Sequence, residues 1–107
     1  MSEKNKPSHN LDDVKRRVAV IKAPAFTKSA LDGIADLDMV LSTAIGVINS
    51  LTRKQNFYKS MSTYNNSTIW QDVYYAVSPS GIPLYIKFTL HADRDVTVIS
   101  FKRREET

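Results

Sequence analysis

The sequence predicts an α+β fold, with N-terminal helices packed on one face of a mostly antiparallel β-sheet. Two observations carry this. Apolar residues recur at helical spacing between residues 11 and 51, and beyond Lys54 the pattern changes to short stretches rich in β-branched and aromatic residues. Turn residues separate those stretches closely enough for hairpins: Asn65-Asn66-Ser67, Ser78-Pro79-Ser80-Gly81 and Ala92-Asp93-Arg94.

Residues 1–9 are polar and carry Pro7, so a disordered tail is expected there, followed by a single domain over 10–104 and a tail at 105–107. Asn10 can cap a helix whose first turn holds Asp12 and Asp13, which suit the positive end of the helix dipole. Leu11, Val14, Val18 and Ile21 form its apolar stripe, with Lys15, Arg16 and Arg17 mostly off it. This spacing predicts an amphipathic helix over 11–20 with a solvated basic face. Pro24 ends it. Thr27 can cap a second helix carrying Ala30, Leu31 and Ile34, with Gly33 as a weak point. Asp38 can cap a third, whose apolar stripe is Leu41, Ala44, Ile45, Ile48 and Leu51. Strands are expected over 56–62, 68–76, 84–90 and 95–103. Leu84, Ile86, Phe88 and Leu90 share one face of theirs, which leaves Tyr85, Lys87 and Thr89 on the other.

Size and composition narrow the function. A chain of 107 residues with 42% hydrophobic content suits one compact domain. No apolar run approaches the roughly 18–20 residues of a membrane span, and the polar N-terminus lacks the apolar core of a signal peptide. A membrane partner is therefore not expected. The absence of cysteine excludes disulfides and thiolate chemistry and fits a reducing, cytoplasmic setting. His9 and His91 are far apart, so neither a zinc site nor two-histidine catalysis is expected. The net charge is +4, and residues 51–107 carry eight basic against five acidic residues. Such an excess suits a polyanion.

The strands carry the chemistry. Residues 57–74 place a lysine, a glutamine, tyrosines and a tryptophan where a buried sheet would use Val, Ile and Leu. Tyr85, Lys87 and Lys102 continue the theme. Neighbouring antiparallel strands bring paired residues within about 5 Å, so Lys59, Gln71, Tyr85, Lys87 and Lys102 can converge. Parity leaves the face of Lys59 open, because Phe57 and Met61 share it.

Cleaving RNA through its own 2′-hydroxyl needs few parts. Lysines stabilise charge on the phosphate, a tyrosine or lysine serves as acid or base, and a glutamine orients an oxygen. Aromatic rings can stack on bases. A free lysine, with a pKa near 10.4, is a poor base at neutral pH, so the Lys59–Lys87–Lys102 cluster is expected to lower that of Lys59. Tyr58, Tyr64, Tyr74 and Tyr75 are open to two readings, sheet packing or base platforms. Trp70 reads most simply as core. Asp72 is either a catalytic carboxylate or a hydrogen-bonding one. Residue chemistry alone thus leads to a basic α+β domain directed at RNA.

The runs Phe57-Tyr58-Lys59-Ser60-Met61 and Thr68-Ile69-Trp70-Gln71-Asp72-Val73-Tyr74 resemble the MqsR family of bacterial toxins, as do Leu84-Tyr85-Ile86-Lys87 and Val98-Ile99-Ser100-Phe101-Lys102. The resemblance implies a RelE/ParE-like toxin fold and a metal-independent, sequence-selective endoribonuclease that cleaves mRNA at GCU-type sites. It also implies the toxin role in a type II toxin–antitoxin pair. The partner would be a zinc-containing, DNA-binding MqsA-like antitoxin, through which operator DNA is reached indirectly. Family catalytic positions fall on Lys59, Gln71, Tyr85 and Lys102, and Tyr58 falls on a substrate-contacting position. Lys87 joins it as a substrate-binding candidate. No cofactor is implied. Segments 49–56, 78–83 and 92–95 depart from the family pattern. The alternative reading is a non-catalytic toxin that binds a protein target such as DNA gyrase, since fold does not dictate function.

Overall fold

The computed structural model describes residues 2–63, 65, 68–93 and 95–105. Tyr64, Asn66, Ser67 and Arg94 lie outside the described residues. Helices α1 (Leu11–Ile21), α2 (Lys28–Asp36), α3 (Leu41–Asn49) and the short α4 (Arg53–Asn56) precede the long strands, with a 3₁₀ turn at Ala23–Ala25. Strands β2 (Phe57–Ser62), β3 (Trp70–Val77), β4 (Pro83–Leu90) and β5 (Val96–Arg103) form an antiparallel meander, joined at its edge by β1 (Glu3–Lys4). The α+β class expected from the sequence is the one observed. Among the described residues, no helix is long and apolar enough to cross a membrane.

The helices cover one face of the sheet. Val14 and Val18 of α1, Ala30 and Ile34 of α2, and Ala44 and Ile48 of α3 pack with Tyr74, Leu84, Ile86, Phe88, Val98 and Phe101. Two β-bulges keep the apolar set inward. One lies between Phe57 and Lys59, the other opposite Lys87 and Phe88, where Ile99 is the extra residue. Phe101 and Val98, three apart, can then both face the helices, which a regular strand forbids.

Several sequence expectations change. Residues 1–9, expected to be a disordered tail, are tied to the sheet. Glu3 and Lys4 pair with Met61 and Ser60, and the Ser8 and His9 amides donate to the buried carboxylate of Asp72 at 3.0–3.1 Å. Asp38 does not cap α3. It takes φ 54°, and together the Asp38 amide on Ala35 and the Met39 amide on Ile34 close the C-terminus of α2 as a Schellman motif. The N-cap of α3 is Val40. Trp70 is not core: it is half-buried, with Lys4 Nζ 4.3 Å from its ring centroid. α4, capped by Thr52, was not expected.

Gly33 is a requirement rather than a weak point. A Cβ built there would meet the Phe101 carbonyl oxygen at 2.0 Å, so α2 lies against β5 at a distance that tolerates no side chain. Gly33→Ala is expected to cost about 1–3 kcal/mol by overpacking, against a helix-propensity gain of about 1 kcal/mol. The net loss should appear as a lower melting temperature by calorimetry.

Candidate active site

The face of the sheet turned away from the helices carries the polar residues. Cross-strand registers order them in rows. Lys59 pairs with Val73, Val73 with Lys87, and Lys87 with Ser100. The next row runs from Tyr75 to Tyr85 to Lys102. On the other side of the central row, Gln71 pairs with Met61. The bulge after Phe57 settles the question that parity left open. Phe57 faces the core against Tyr74, while Lys59 joins the polar face. Val73 is fully buried yet stands outside the main core, because it lies on this face between Lys59 and Lys87. The structure therefore brings Lys59, Gln71, Tyr85, Lys87 and Lys102 onto one surface.

Tyr58, at the bulge, lies at the border of this face. It is 48% exposed and stacks on Tyr75 with centroids 4.4 Å apart and planes 15° apart. Tyr75 stands 6.2 Å from Tyr85, with Arg104 over its ring at 4.5 Å. This aromatic ladder leaves Tyr58 open to a base. Of the tyrosines open to two readings, Tyr74 is core, while Tyr58 and Tyr75 stack on each other at the polar side of the sheet. Stacking across a bulge leaves no periodic trace, so the sequence could not separate these roles.

The electrostatics depart from expectation at Lys59. Its ammonium pairs with Glu3 of β1 at 2.6 Å, which holds its pKa above the usual lysine value. The expected lowering falls on Lys87 instead, through burial first and then the charges of Lys102 and Lys59. Burial raises the pKa of the Tyr85 hydroxyl, opposed by Lys59, while the Lys102 ammonium lies 5.4 Å from its ring centroid. At neutral pH Tyr85 is a proton donor and Lys59 a fixed positive charge. Glu3 was missed because its segment reads as a polar tail.

Asp72 faces the helices, not this site. It is fully buried, accepts from the Ser8 and His9 amides, and sits beside Ser60, whose hydroxyl lies 2.6 Å from that of Ser8. Its role is the hydrogen-bonding one. The His9 ring bonds the Trp70 carbonyl, and His91 bonds Thr97. Among the described residues, no group of three or more His, Asp or Glu side chains could hold a metal ion. A cavity of about 590 Å³ lies under the N-terminal segment, lined by Lys6, Lys15, Arg53 and Tyr74, away from the polar face. A hollow of about 460 Å³ adjoins the face itself, lined by Glu3, Lys4, Asn5, Tyr58 and Lys59.

Comparison with known proteins adds the family. The sequence model of a family described as "Motility quorum-sensing regulator, toxin of MqsA" matches residues 6–103. A curated relative from Escherichia coli (strain K12), mRNA interferase toxin MqsR, is 37% identical over 102 residues, covering 95% of this chain and 99% of its own. The matched span reaches every residue of the polar rows, and the chain belongs to the MqsR toxin family.

Proposed function

We propose that this protein is the toxin of a type II toxin–antitoxin pair and a metal-independent endoribonuclease that cleaves mRNA and so arrests translation. The observation that carries the reading is the polar face, where Lys59 of β2, Lys87 of β4 and Lys102 of β5 converge about Tyr85. A surface built only for packing has no use for that convergence. The relative's activity on mRNA supports the choice of substrate.

The roles follow from the chemistry. Lys59 and Lys102 stabilise the charge that develops on the scissile phosphate. Lys87, half-buried between them, adds to the field that draws the backbone in. Gln71 orients a phosphate or ribose oxygen. The Tyr85 hydroxyl gives its proton to the departing 5′-oxygen. Tyr58 stacks on a base, held flat by Tyr75. The substrate is a single strand, whose unstacked bases can reach such a platform.

The family resemblance supports GCU-type sites as the preferred sequence. Of the segments that depart from the family pattern, 49–56 and 78–83 adjoin strands of the sheet and are where base preference would shift. A cognate zinc-containing, DNA-binding antitoxin would neutralise the protein and link it to operator DNA. The family's description as the toxin of MqsA supports such a partner.

The test is cleavage of a defined mRNA in EDTA, with 5′ ends mapped by primer extension. The wild type is expected to cut at a short shared motif. Lys59→Ala should be slower by about 10²–10³-fold, the cost of removing one preorganised charge contact. A folded, toxic protein that cuts nothing would establish a binding toxin instead.

A further inference from the structure

Lys59 and Lys102 supply positive charge and Tyr85 a proton, yet the attacking 2′-hydroxyl must lose a proton. Lys87, whose ammonium is weakened by burial and by Lys102 and Lys59, is the rival to a carboxylate base. Lys59 is held as an ammonium by its partner Glu3. Tyr85 is held as a phenol by burial. Gln71 does not titrate. Asp72 belongs to the other side of the sheet, where it anchors the Ser8 and His9 amides.

Glu3 is the carboxylate the site does contain. Its Oε2 lies 2.6 Å from Lys59 Nζ, and its charge acts on Tyr85. It is placed by structure rather than by chance contact. Glu3 pairs with Met61 across β1 and β2, Ser2 O accepts from the Ser62 amide at 2.8 Å, and the Ser2 amide donates to Ser62 Oγ at 2.9 Å. Downstream, the Asp72 bonds fix the other end of the segment. Glu3, Lys59 and Tyr58 also line the shallow hollow beside the polar face. A nucleotide seated there would set its base on Tyr58, its phosphate on Lys59 and its ribose against Glu3.

We propose that the Glu3 carboxylate is the general base of the cleavage reaction, an assignment that rests on the ribonuclease reading above. A carboxylate oxygen of Glu3 takes the 2′-hydroxyl proton. The 2′-oxygen forms a bond to phosphorus, and the bond from phosphorus to the 5′-oxygen breaks. The 5′-oxygen takes a proton from Tyr85. The products are a 2′,3′-cyclic phosphate and a 5′-hydroxyl, after which Glu3 returns its proton to water and Tyr85 regains one. Proton uptake also cancels the charge that holds Lys59, so the ammonium turns to the phosphate as negative charge builds there. The charged and titratable groups around Glu3 are Lys4 beside it in β1, Lys59 and Tyr58 of β2 and Tyr85 of β4.

The experiment measures initial rates on one RNA oligonucleotide across pH, with full-length wild type, Glu3→Gln, Glu3→Ala and Lys59→Ala. Glu3→Gln is expected to lower kcat about 10²–10⁴-fold, with KM within a few-fold. Added formate should restore part of the Glu3→Ala rate, which a purely structural role would not allow. Wild-type kcat in Glu3→Gln, or a faster rate, would overturn the assignment and make Glu3 a counter-ion that the phosphate displaces. A loss in Glu3→Ala that formate leaves untouched would overturn it equally. If the wild type itself fails to cleave, the ribonuclease reading falls and the base falls with it.

Discussion

Replacing Tyr85 with Phe should lower the cleavage rate about 10²–10⁴-fold, the usual contribution of general acid catalysis, and leave substrate affinity almost unchanged. The substitution keeps the ring, and with it the contacts to Tyr75 and Lys102 at 6.2 and 5.4 Å. It removes the hydroxyl proposed to protonate the leaving group. The direction of the Tyr85 shift sets the pH behaviour. Burial raises its pKa, so the hydroxyl keeps its proton through the neutral range. Wild-type activity should fall only as alkaline pH strips that proton, and the Phe variant should lack this limb. A substrate with sulfur in place of the 5′-oxygen separates this role from mere packing, because a thiolate leaves without an acid. Tyr85→Phe should cut that substrate at close to the wild-type rate. An equal loss on both substrates would remove Tyr85 from the acid role.

Asp72→Ala is expected to destabilise the fold by about 3 kcal/mol. Two backbone amides, of Ser8 and His9, lose a fully buried charged acceptor. Each such bond is worth about 1.5–3 kcal/mol, part of which water regains. For a domain of this size the melting temperature should drop on the order of 10–20 °C. The loss should be uneven. Hydrogen exchange at Ser8 and His9 should rise to that of a frayed segment while β3–β5 stay protected. Because the same bonds hold the approach to β1, cleavage should fall toward the Glu3→Gln level even below the new melting temperature. Asp72→Asn keeps one acceptor oxygen and should fall between. Unchanged stability in Asp72→Ala would mean that the segment is held by β1 alone.

What the sequence made legible was local. The alternation of Leu84, Ile86 and Phe88 with Tyr85 and Lys87 sorted β4 onto its two faces. The polar strand residues drew attention to Lys59, Gln71 and Lys102, and the structure gathers them on one surface. What stayed hidden depends on contacts that no period records. A bulge decides the face of Lys59, and bulges leave the residue pattern ambiguous by design. Asp38 resembles a helix cap until the Ile34 and Ala35 carbonyls claim the amides around it. The N-terminal segment has tail-like composition, but its partners lie on strands more than 50 residues away, as in the Lys59–Glu3 and Ser8–Asp72 contacts. Glu3 was hidden for the same reason, and with it the sign of the shift at Lys59.

The short β1 has a further consequence, for self-association. A sheet with an open outer strand offers a row of unpaired amides and carbonyls to any other chain. Here the far edge, β5, is partly occupied by the Phe26 bridge to Val98 and by the Thr27 bonds to Val98 and Ile99. Among the described residues, Ser2, Glu3 and Lys4 pair with the outer edge of β2, two of them charged. Those few residues cover the edge of β2 at Ser60–Ser62, so trimming them would open that stretch to edge-to-edge pairing of one molecule on the next.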